Sequence, residues 1–392
     1  MLTNFDFRRY VTIGNHRDAW TFGSIDPSSA TACMMEMVRV MGELVQGGWR
    51  PRRTIIFQSW GSGEHGYLGA NEWVDEYQKV MAHRIVAHIN VDIAVTHSYN
   101  LLGAATPLMQ TLMAEATKRI PAPKPELGYK TLFEHWSGER RYTGEKLVDT
   151  NLGSVSDHAV LYQRLGVPTA YFSWMPDPSK WEGADYPLYH TAFETFDAVK
   201  QHLDPDFAHH RAIAHLWGVI ALELAGARAL TEVMDLAKVA EILREGIDDL
   251  EREHGAFFKE HGISLLNLRL RTELFALEAA KYSERASDQI ERADPLTLRM
   301  LNDQLVGVEK AFIDVNGLPR RPWQKNVIFG TSVDDEYSSA MFPGVREALH
   351  GVKVIRGGEE LARRIEEAKQ QLSVCAFAVN SATITIRDLK HF

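Results

Sequence analysis

Five side chains of types that bind metal ions each stand at the end of an apolar, strand-like run: His16, Asp26, Glu64, Asp92 and His190. Three carboxylates and two imidazoles suit a pair of zinc ions that share one carboxylate. Two divalent ions against three carboxylates leave one positive charge, which a bridging hydroxide would neutralise. The sequence therefore predicts a two-zinc hydrolytic centre.

The residue before Glu64 is where such a centre is expected to carry its proton-accepting carboxylate, and this residue is Gly63. A positioned general base contributes typically about 10²–10⁴-fold to the rate. We therefore expect the base position to be vacant and hydrolysis to be reduced. Replacing Gly63 with glutamate is expected to raise hydrolysis by about 10² or more if the base alone is missing.

Asp18 follows His16 by two residues, and this spacing has two interpretations. The carboxylate of Asp18 can accept the second ring N–H of His16 and so fix the tautomer that binds metal. Alternatively, the pair forms an ordinary ion pair in a surface turn. Asp26 favours the metal interpretation, because the turn at 23–27 holds it rigidly near the end of the same strand.

Two other ligands also have an alternative role. Glu64 lies in the glycine-rich turn 61–66, where it could simply stabilise a helix N-terminus. His190 follows a stiff segment that contains Pro187, yet a single histidine is often an ordinary exposed side chain.

Residues 1–230 alternate between strand and helix patterns, which predicts an α/β fold. In this fold a mostly parallel sheet has helices on both faces. In such sheets ligands bind beyond the carboxyl ends of the strands. His16, Glu64 and Asp92 all fall at that end. The predicted strands are Tyr10–Ile13, Thr54–Phe57, Ile85–Ile89 and Pro168–Phe172, with helices at Ser29–Leu44 and His209–Ala229 and a long irregular connection at 121–150.

From Val233 onward the sequence changes to amphipathic helices without strands, which predicts an all-α helical domain. We place the domains at 1–232 and 233–392. An apolar stripe with helical spacing predicts a homodimer through these helices. The alternative is that this face packs only against the chain's own first domain. The stripe comprises Leu296, Met300, Leu301, Leu305, Val308 and Phe312.

Composition narrows the functional classes. The 392 residues carry a net charge of −9, spread along the chain, which argues against a nucleic-acid partner. No apolar stretch reaches the roughly 18 residues of a membrane span. The chain as written is therefore expected to be soluble, and the sequence does not indicate its compartment.

Several long motifs, taken together, resemble the glutamate carboxypeptidase II and transferrin receptor family. The matching segments are 9–27, 48–60, 68–73, 186–195 and 298–322. The resemblance implies a zinc exopeptidase-like catalytic domain followed by a helical dimerisation domain. Family members are often anchored in a membrane with the catalytic part outside the cytoplasm, and their anchor and apical domain precede the point where this sequence begins.

The resemblance also implies roles for single residues. His16 and Asp92 would hold the first zinc, and Glu64 and His190 the second, with Asp26 bridging the two ions. Asp18 would position a ligand, and Tyr189 would donate a hydrogen bond to the oxyanion of the tetrahedral intermediate.

The chain departs from the family at two groups of positions. Gly63 occupies the slot of the family's general base. The arginines of glutamate-selective members are replaced at 170–173, and an acid, Glu336, replaces their lysine. A pocket without these cations should not favour a terminal glutamate.

Two functions follow. The first is a metallo-exopeptidase, of carboxypeptidase or aminopeptidase type, that hydrolyses small peptides through metal-bound hydroxide at reduced rate. The second is an inactive pseudopeptidase that acts as a homodimeric binding protein, as the transferrin receptor does.

Overall fold

The chain folds into two compact units. The first takes in the described parts of 1–150, 156–160 and 169–227, and the second those of 151–155, 161–168 and 228–392. This division follows a computed structural model, which describes residues 6–140, 146–150, 152–177, 180, 186–290, 292–335, 337–355 and 357–388.

The first unit contains a five-stranded sheet in the order β2-β1-β3-β5-β4. Its strands are β1 (Asp6–His16), β2 (Arg53–Trp60), β3 (Ile85–Asn90), β4 (Asn100–Ala105) and β5 (Thr169–Met175). The first three strands and β5 run parallel, while β4 pairs antiparallel with β5 at the edge. The predicted, mostly parallel α/β sheet is confirmed.

Burial on both faces marks β3 as a central strand, although His88 and Asn90 stand among its apolar residues. Every residue of β3 is buried, as expected of a parallel strand that is covered on both faces. The register pairs His16 with Trp60 and Gly14 with Asn90, so the carboxyl ends of β1, β2 and β3 lie together at one edge. This edge is where the predicted metal ligands begin.

Helices of the first unit follow the predicted patterns closely. Trp217 of α7 is fully buried, and its indole N–H donates to the backbone oxygen of Ile89 in β3 at 3.2 Å. The helices up to residue 227 are α1 (Ser28–Gln46), α2 (Leu68–Arg84), α3 (Pro107–Thr117), α4 (Leu132–Arg140), α5 (His158–Leu165), α6 (Phe196–Ala198), which continues as a π-turn at Val199–Leu203, and α7 (Ala208–Gly226), with a 3₁₀ turn at Pro125–Leu127.

The connection predicted at 121–150 is more ordered than its sequence indicates. Helix α4 occupies Leu132–Arg140, and Trp136 on it is completely buried. The helix has a weak amphipathic pattern, because polar and charged residues surround its apolar ones. A periodicity search therefore misses it, and residues 141–145 lie outside the described part of the chain.

The second unit is mainly helical and also contains a short ribbon that the sequence analysis did not predict. Its helices are α8 (Leu236–Glu260), α9 (Leu266–Gln289), α10 (Pro295–Lys310), α11 (Pro343–Leu349) and α12 (Gly358–Thr385), with 3₁₀ turns at Leu230–Glu232 and Val352–Val354. Strands β6 (Phe329–Thr331) and β7 (Ser339–Met341) pair antiparallel.

Most of the apolar stripe predicted on α10 belongs to the core of this unit. Leu301, Leu305, Val308 and Phe312 are buried, whereas Leu296 and Met300 are exposed. The helix packs against α12, and the Tyr282 hydroxyl of α9 donates to the backbone oxygen of Leu301. The stripe therefore does not supply the exposed face that a second chain could bind.

No helix within the described residues combines the length and apolar character needed to cross a membrane.

Candidate metal centre

His16, Asp26 and Asp92 form the first group of potential ligands. His16 Nε2 lies 2.9 Å from Asp92 Oδ1 and 3.3 Å from Asp26 Oδ1. One ligand atom from each residue falls within 4.8 Å of the other two, and all three residues are buried. Ligands this close together can share one metal ion.

Asp26, Glu64 and His190 form a second group of the same compactness. His190 Nε2 lies 3.2 Å from Asp26 Oδ2 and 3.2 Å from Glu64 Oε2. Asp26 belongs to both groups and offers a different oxygen to the histidine of each. All five sequence-predicted ligands are therefore brought together, with Asp26 between the two histidines.

The sheet and its turns place these residues. His16 is the last residue of β1, and Asp92 follows β3 by two residues. Glu64 lies in the turn between β2 and α2, where Ser62 and Gly66 have positive φ values of 58° and 82°. These left-handed residues fold the turn back over the end of the sheet. His190 also has a positive φ, of 61°.

The donor set fits divalent metal ions of the zinc type. Imidazole nitrogens and carboxylate oxygens are the ligands that zinc takes in catalytic sites. Asp26 Oδ1 and Glu64 Oε1 are buried and have no hydrogen-bond partner among the described residues. Buried carboxylate oxygens are costly without a partner, and a cation would satisfy both.

The clustered carboxylates of Asp26, Glu64 and Asp92 create a negative potential that favours positive charge between them. Burial opposes protonation of His16, yet the charges and hydrogen bonds of Asp92 and Asp26 outweigh it and raise the pKa of His16 to about 12. Burial opposes the charge on Asp26, but its contacts with the imidazoles of both histidines lower its pKa. Burial and the neighbouring Asp26 charge raise the pKa of Glu64 to about 7. The protonated imidazole of His16 thus supplies positive charge that a metal ion would otherwise bring.

Asp18 supports the centre through two different groups. His16 Nδ1 lies 3.0 Å from the backbone oxygen of Asp18 and 3.7 Å from its carboxylate. The carboxylate accepts hydrogen bonds from the backbone N–H groups of Gly63 at 2.8 Å and Glu64 at 3.2 Å. Asp18 therefore fixes both the ring of His16 and the turn that carries Glu64.

Gly63 packs directly against His16. A Cβ added at Gly63 would lie 2.5 Å from Cγ and 2.6 Å from Cβ of His16. The contact between this turn and β1 therefore requires a residue without a side chain at position 63. This requirement is not visible in the sequence.

Aromatic rings surround His190. The ring of Tyr189 stacks on the His190 ring with centroids 3.6 Å apart. Trp20, about half exposed, lies 6.0 Å from the His190 ring and 4.9 Å from the His65 ring. His65 itself is exposed and takes no part in either ligand group.

Two acidic residues near the centre were missed by the sequence analysis. Glu194 is buried and accepts hydrogen bonds from the backbone N–H groups of Asp26 and His190. Asp157 is fully buried, and both its carboxylate oxygens lack a hydrogen-bond partner among the described residues. Burial, with a contribution from the charge of Asp92, raises the pKa of Asp157 to about 7. Glu194 lies in segment 186–195, one of the segments that resemble the family, and this was the signal that could have identified it.

Comparison with known proteins places the chain in a family. Residues 3–214 match peptidase family M28, and residues 263–387 match the transferrin receptor-like dimerisation domain. The chain is similar to the aminopeptidase NAALADL1 of Rattus norvegicus, with 36% identity over 97% of this chain and 51% of that protein. It is also similar to the probable glutamate carboxypeptidase LAMP1 of Arabidopsis thaliana, with 36% identity over 88% of this chain and 47% of that protein.

The chain thus spans about half the length of the curated relatives that it matches. Among solved structures, a zinc aminopeptidase from Bacillus subtilis matches with 22% identity and a TM-score of 0.40, over 57% of this chain and 48% of that one. The chain belongs to peptidase family M28 and carries a transferrin receptor-like dimerisation domain, which makes it a member of the glutamate carboxypeptidase II and transferrin receptor family.

Proposed function

We propose that the first unit is a two-zinc metallo-exopeptidase that hydrolyses small peptides at a reduced rate. His16 and Asp92 would hold one ion, Glu64 and His190 the other, and Asp26 would bridge them. The observation that carries the proposal is the position of Asp26, whose two oxygens face the two histidines at 3.3 and 3.2 Å.

Peptide hydrolysis at this site would combine the activation of water by zinc with the contributions of Tyr189 and of position 63. Zinc in such a site lowers the pKa of a bound water toward about 7 and polarises a carbonyl group. Tyr189, whose ring stacks on that of His190, would donate a hydrogen bond from its hydroxyl group to the developing oxyanion. Gly63 cannot accept a proton, which should lower turnover by about 10²–10⁴-fold relative to a site with a positioned base.

The substrate class follows from the groups around the site. The stretch at 170–173 lies in β5 and carries no cation, while Glu336 lies outside the described residues. Selectivity for a terminal glutamate is therefore not expected. The exposed ring of Trp20 beside His190 instead favours small peptides with apolar or aromatic terminal residues.

The test is hydrolysis of a dipeptide library by the zinc-loaded chain, with amino-blocked and carboxyl-blocked peptides to identify the end that is cleaved. The His190→Ala variant, purified in parallel, is the control for contaminating peptidases. Slow hydrolysis by the wild type that disappears in His190→Ala supports the proposal. Equal rates for both proteins contradict it.

One observation favours the second function, that of a pseudopeptidase. The tight contact between Gly63 and His16 leaves no room for a catalytic carboxylate at position 63. In that case the chain would bind zinc but release no product from any peptide in the library. Zinc binding without turnover would select this function over the first.

We further propose that the second unit forms the interface of a homodimer. Four leucines at helical spacing on α9 are between 43% and 62% exposed: Leu266, Leu270, Leu274 and Leu277. Helix α12, which packs against α9, exposes Phe377 and Ile384. An exposed apolar face of this kind is typical of a surface that pairs with its own copy.

A further inference from the structure

Glu194 connects the two loops that carry the bridging ligand and the second histidine. It is 2% exposed. Its Oε2 accepts a hydrogen bond from the backbone N–H of Asp26 at 3.1 Å. Its Oε1 accepts from the backbone N–H of His190 at 2.8 Å and from the hydroxyl of Tyr186 at 2.6 Å. A single carboxylate therefore bonds to the backbone of both ligands.

Backbone and side-chain contacts reinforce this connection. The N–H of Ser24 donates to the backbone oxygen of Glu194 at 3.1 Å. The hydroxyl of Thr21 donates to the backbone oxygen of Thr191 at 2.7 Å. Several hydrogen bonds thus connect the loop before Asp26 to the loop after His190, and Glu194 takes part in most of them.

The chemistry of these contacts requires a carboxylate. A backbone N–H group, which can only donate, faces each oxygen of Glu194: that of Asp26 at Oε2 and that of His190 at Oε1. Both oxygens must therefore accept. An amide of the same shape would direct its NH₂ group at one of these donors. The resulting donor–donor contact would leave a buried N–H without a partner, which costs more than the loss of one hydrogen bond.

The backbone conformation of His190 explains why its N–H needs a fixed hydrogen-bond partner. Its φ of 61° is unfavourable for a residue with a side chain, and it must be stabilised by its surroundings. The hydrogen bond from the His190 N–H to Glu194 fixes this backbone. It also directs the ring toward Asp26 and Glu64, at 3.2 Å from each.

We propose that Glu194 is a positioning residue that sets the spacing between Asp26 and His190 and so determines the affinity of the second zinc site. This inference rests on the proposed two-zinc function. Residues that orient metal ligands typically contribute 10- to 100-fold to metal affinity. Two of the three donors to Glu194, the His190 N–H and the Tyr186 hydroxyl, lie in the segment of the second site, whereas Asp26 serves both sites. We therefore expect Glu194 to act on the site of His190 more than on the site of His16.

The experiment measures zinc affinity by chelator competition on the full, zinc-free chain. Glu194→Gln is introduced into His16→Ala, which retains the second ligand group, and into His190→Ala, which retains the first. We expect Glu194→Gln to weaken zinc binding by about 10-fold or more in the first background and by less than about 3-fold in the second.

Asp204→Asn is the matched control. Asp204 is also fully buried in the first unit and accepts hydrogen bonds from the ring of His209 and from the backbone and ring of His210. Its loss should destabilise the fold without distinguishing the two zinc sites. The melting temperature of each zinc-free variant is measured alongside, so that a general loss of stability is recognised.

The outcomes separate the inference from the proposed function. A wild-type chain that binds no zinc overturns both. A wild-type chain that binds two ions, with both sites unchanged or equally weakened by Glu194→Gln, overturns the role of Glu194 alone. If Glu194→Gln does not fold, Tyr186→Phe takes its place, because it removes one donor to Oε1 and should weaken the same site by about 2- to 5-fold. If Tyr186→Phe leaves zinc affinity unchanged at both sites, or lowers it equally at both, the role of Glu194 is also overturned.

Discussion

Gly63 and His16 are in direct contact, and a Cβ on Gly63 would stand 2.5 Å from Cγ of the imidazole. Cγ and Cβ of His16 are the root of that side chain, not its flexible end, so the ring would have to move as a whole. The position of His16, a proposed zinc ligand, and the identity of residue 63 are therefore coupled.

The first prediction concerns this coupling. Gly63→Glu should not raise peptide hydrolysis, because its side chain displaces His16 from Asp92 and Asp26. This result is the opposite of the gain that the sequence alone predicts. Hydrolysis and bound zinc are measured on the same preparations. A gain of about 10² in hydrolysis with zinc retained would show that the turn can relax and that only the base is missing.

A smaller substitution isolates the steric effect. Gly63→Ala should lower zinc affinity by about 10-fold or more, since a Cβ alone reaches His16. Gly42→Ala is the control, because a Cβ at that position in α1 has no neighbour within 4 Å. Unchanged zinc affinity in Gly63→Ala would contradict the claim that a side chain at position 63 displaces His16.

The second prediction concerns Asp26. Because it belongs to both ligand groups, Asp26→Ala should remove nearly all bound zinc, whereas His16→Ala and His190→Ala should each weaken mainly one site. Zinc per chain is measured by elemental analysis after dialysis. Asp206→Ala, at an exposed acid, is the control. Zinc retention in Asp26→Ala equal to that in His190→Ala would argue against a bridging role.

The third prediction concerns protons. The pKa of His16 is raised to about 12 in the zinc-free protein, so this imidazole carries a proton at pH 8. Zinc binds the neutral imidazole, and the proton must leave when the ion enters. Zinc affinity should therefore increase with pH up to at least pH 8. Calorimetric titration in buffers of different ionisation enthalpy should show release of about one proton or more per chain. Heats independent of the buffer would contradict the predicted charge state.

The fourth prediction concerns the dimer. Leu270→Asp and Leu277→Asp place a charge on the exposed face of α9 and should shift the chain from dimer to monomer in light scattering at micromolar concentration. Val354→Asp, at a residue that is 75% exposed and outside that face, should leave the dimer intact. A wild-type monomer, or a dimer that survives both leucine substitutions, would exclude this interface.

The sequence predicts the architecture of the first unit well because its signals are strong and local. Mostly apolar strand runs, such as β3, and the glycine-rich turn after β2 identify a parallel sheet with candidate ligands at one edge. Edge strand β4 was missed because its sequence, Asn100–Ala105, contains a glycine and two alanines and has little β-branched character. Its antiparallel pairing with β5 depends on tertiary contacts.

The sequence pointed to the candidate ligands that the structure brings together, but not to the contacts that support them. His16, Asp26 and His190 are chemically conspicuous, whereas Glu194 is one acid among 52 acidic residues in the chain and acts through backbone N–H groups. The steric contact of Gly63 likewise depends on the register of β1 and β2. The apolar stripe on α10 shows the same limit, since periodicity indicates an apolar face but not what covers it.

The most direct measurement is an anomalous difference map, collected at the zinc absorption edge from a crystal of the zinc-loaded chain. Two peaks should stand at the carboxyl edge of the sheet, with the carboxylate of Asp26 between them, His16 at one and His190 at the other. A map with no peak there, or with peaks that Asp26 does not contact, would contradict the shared two-metal centre.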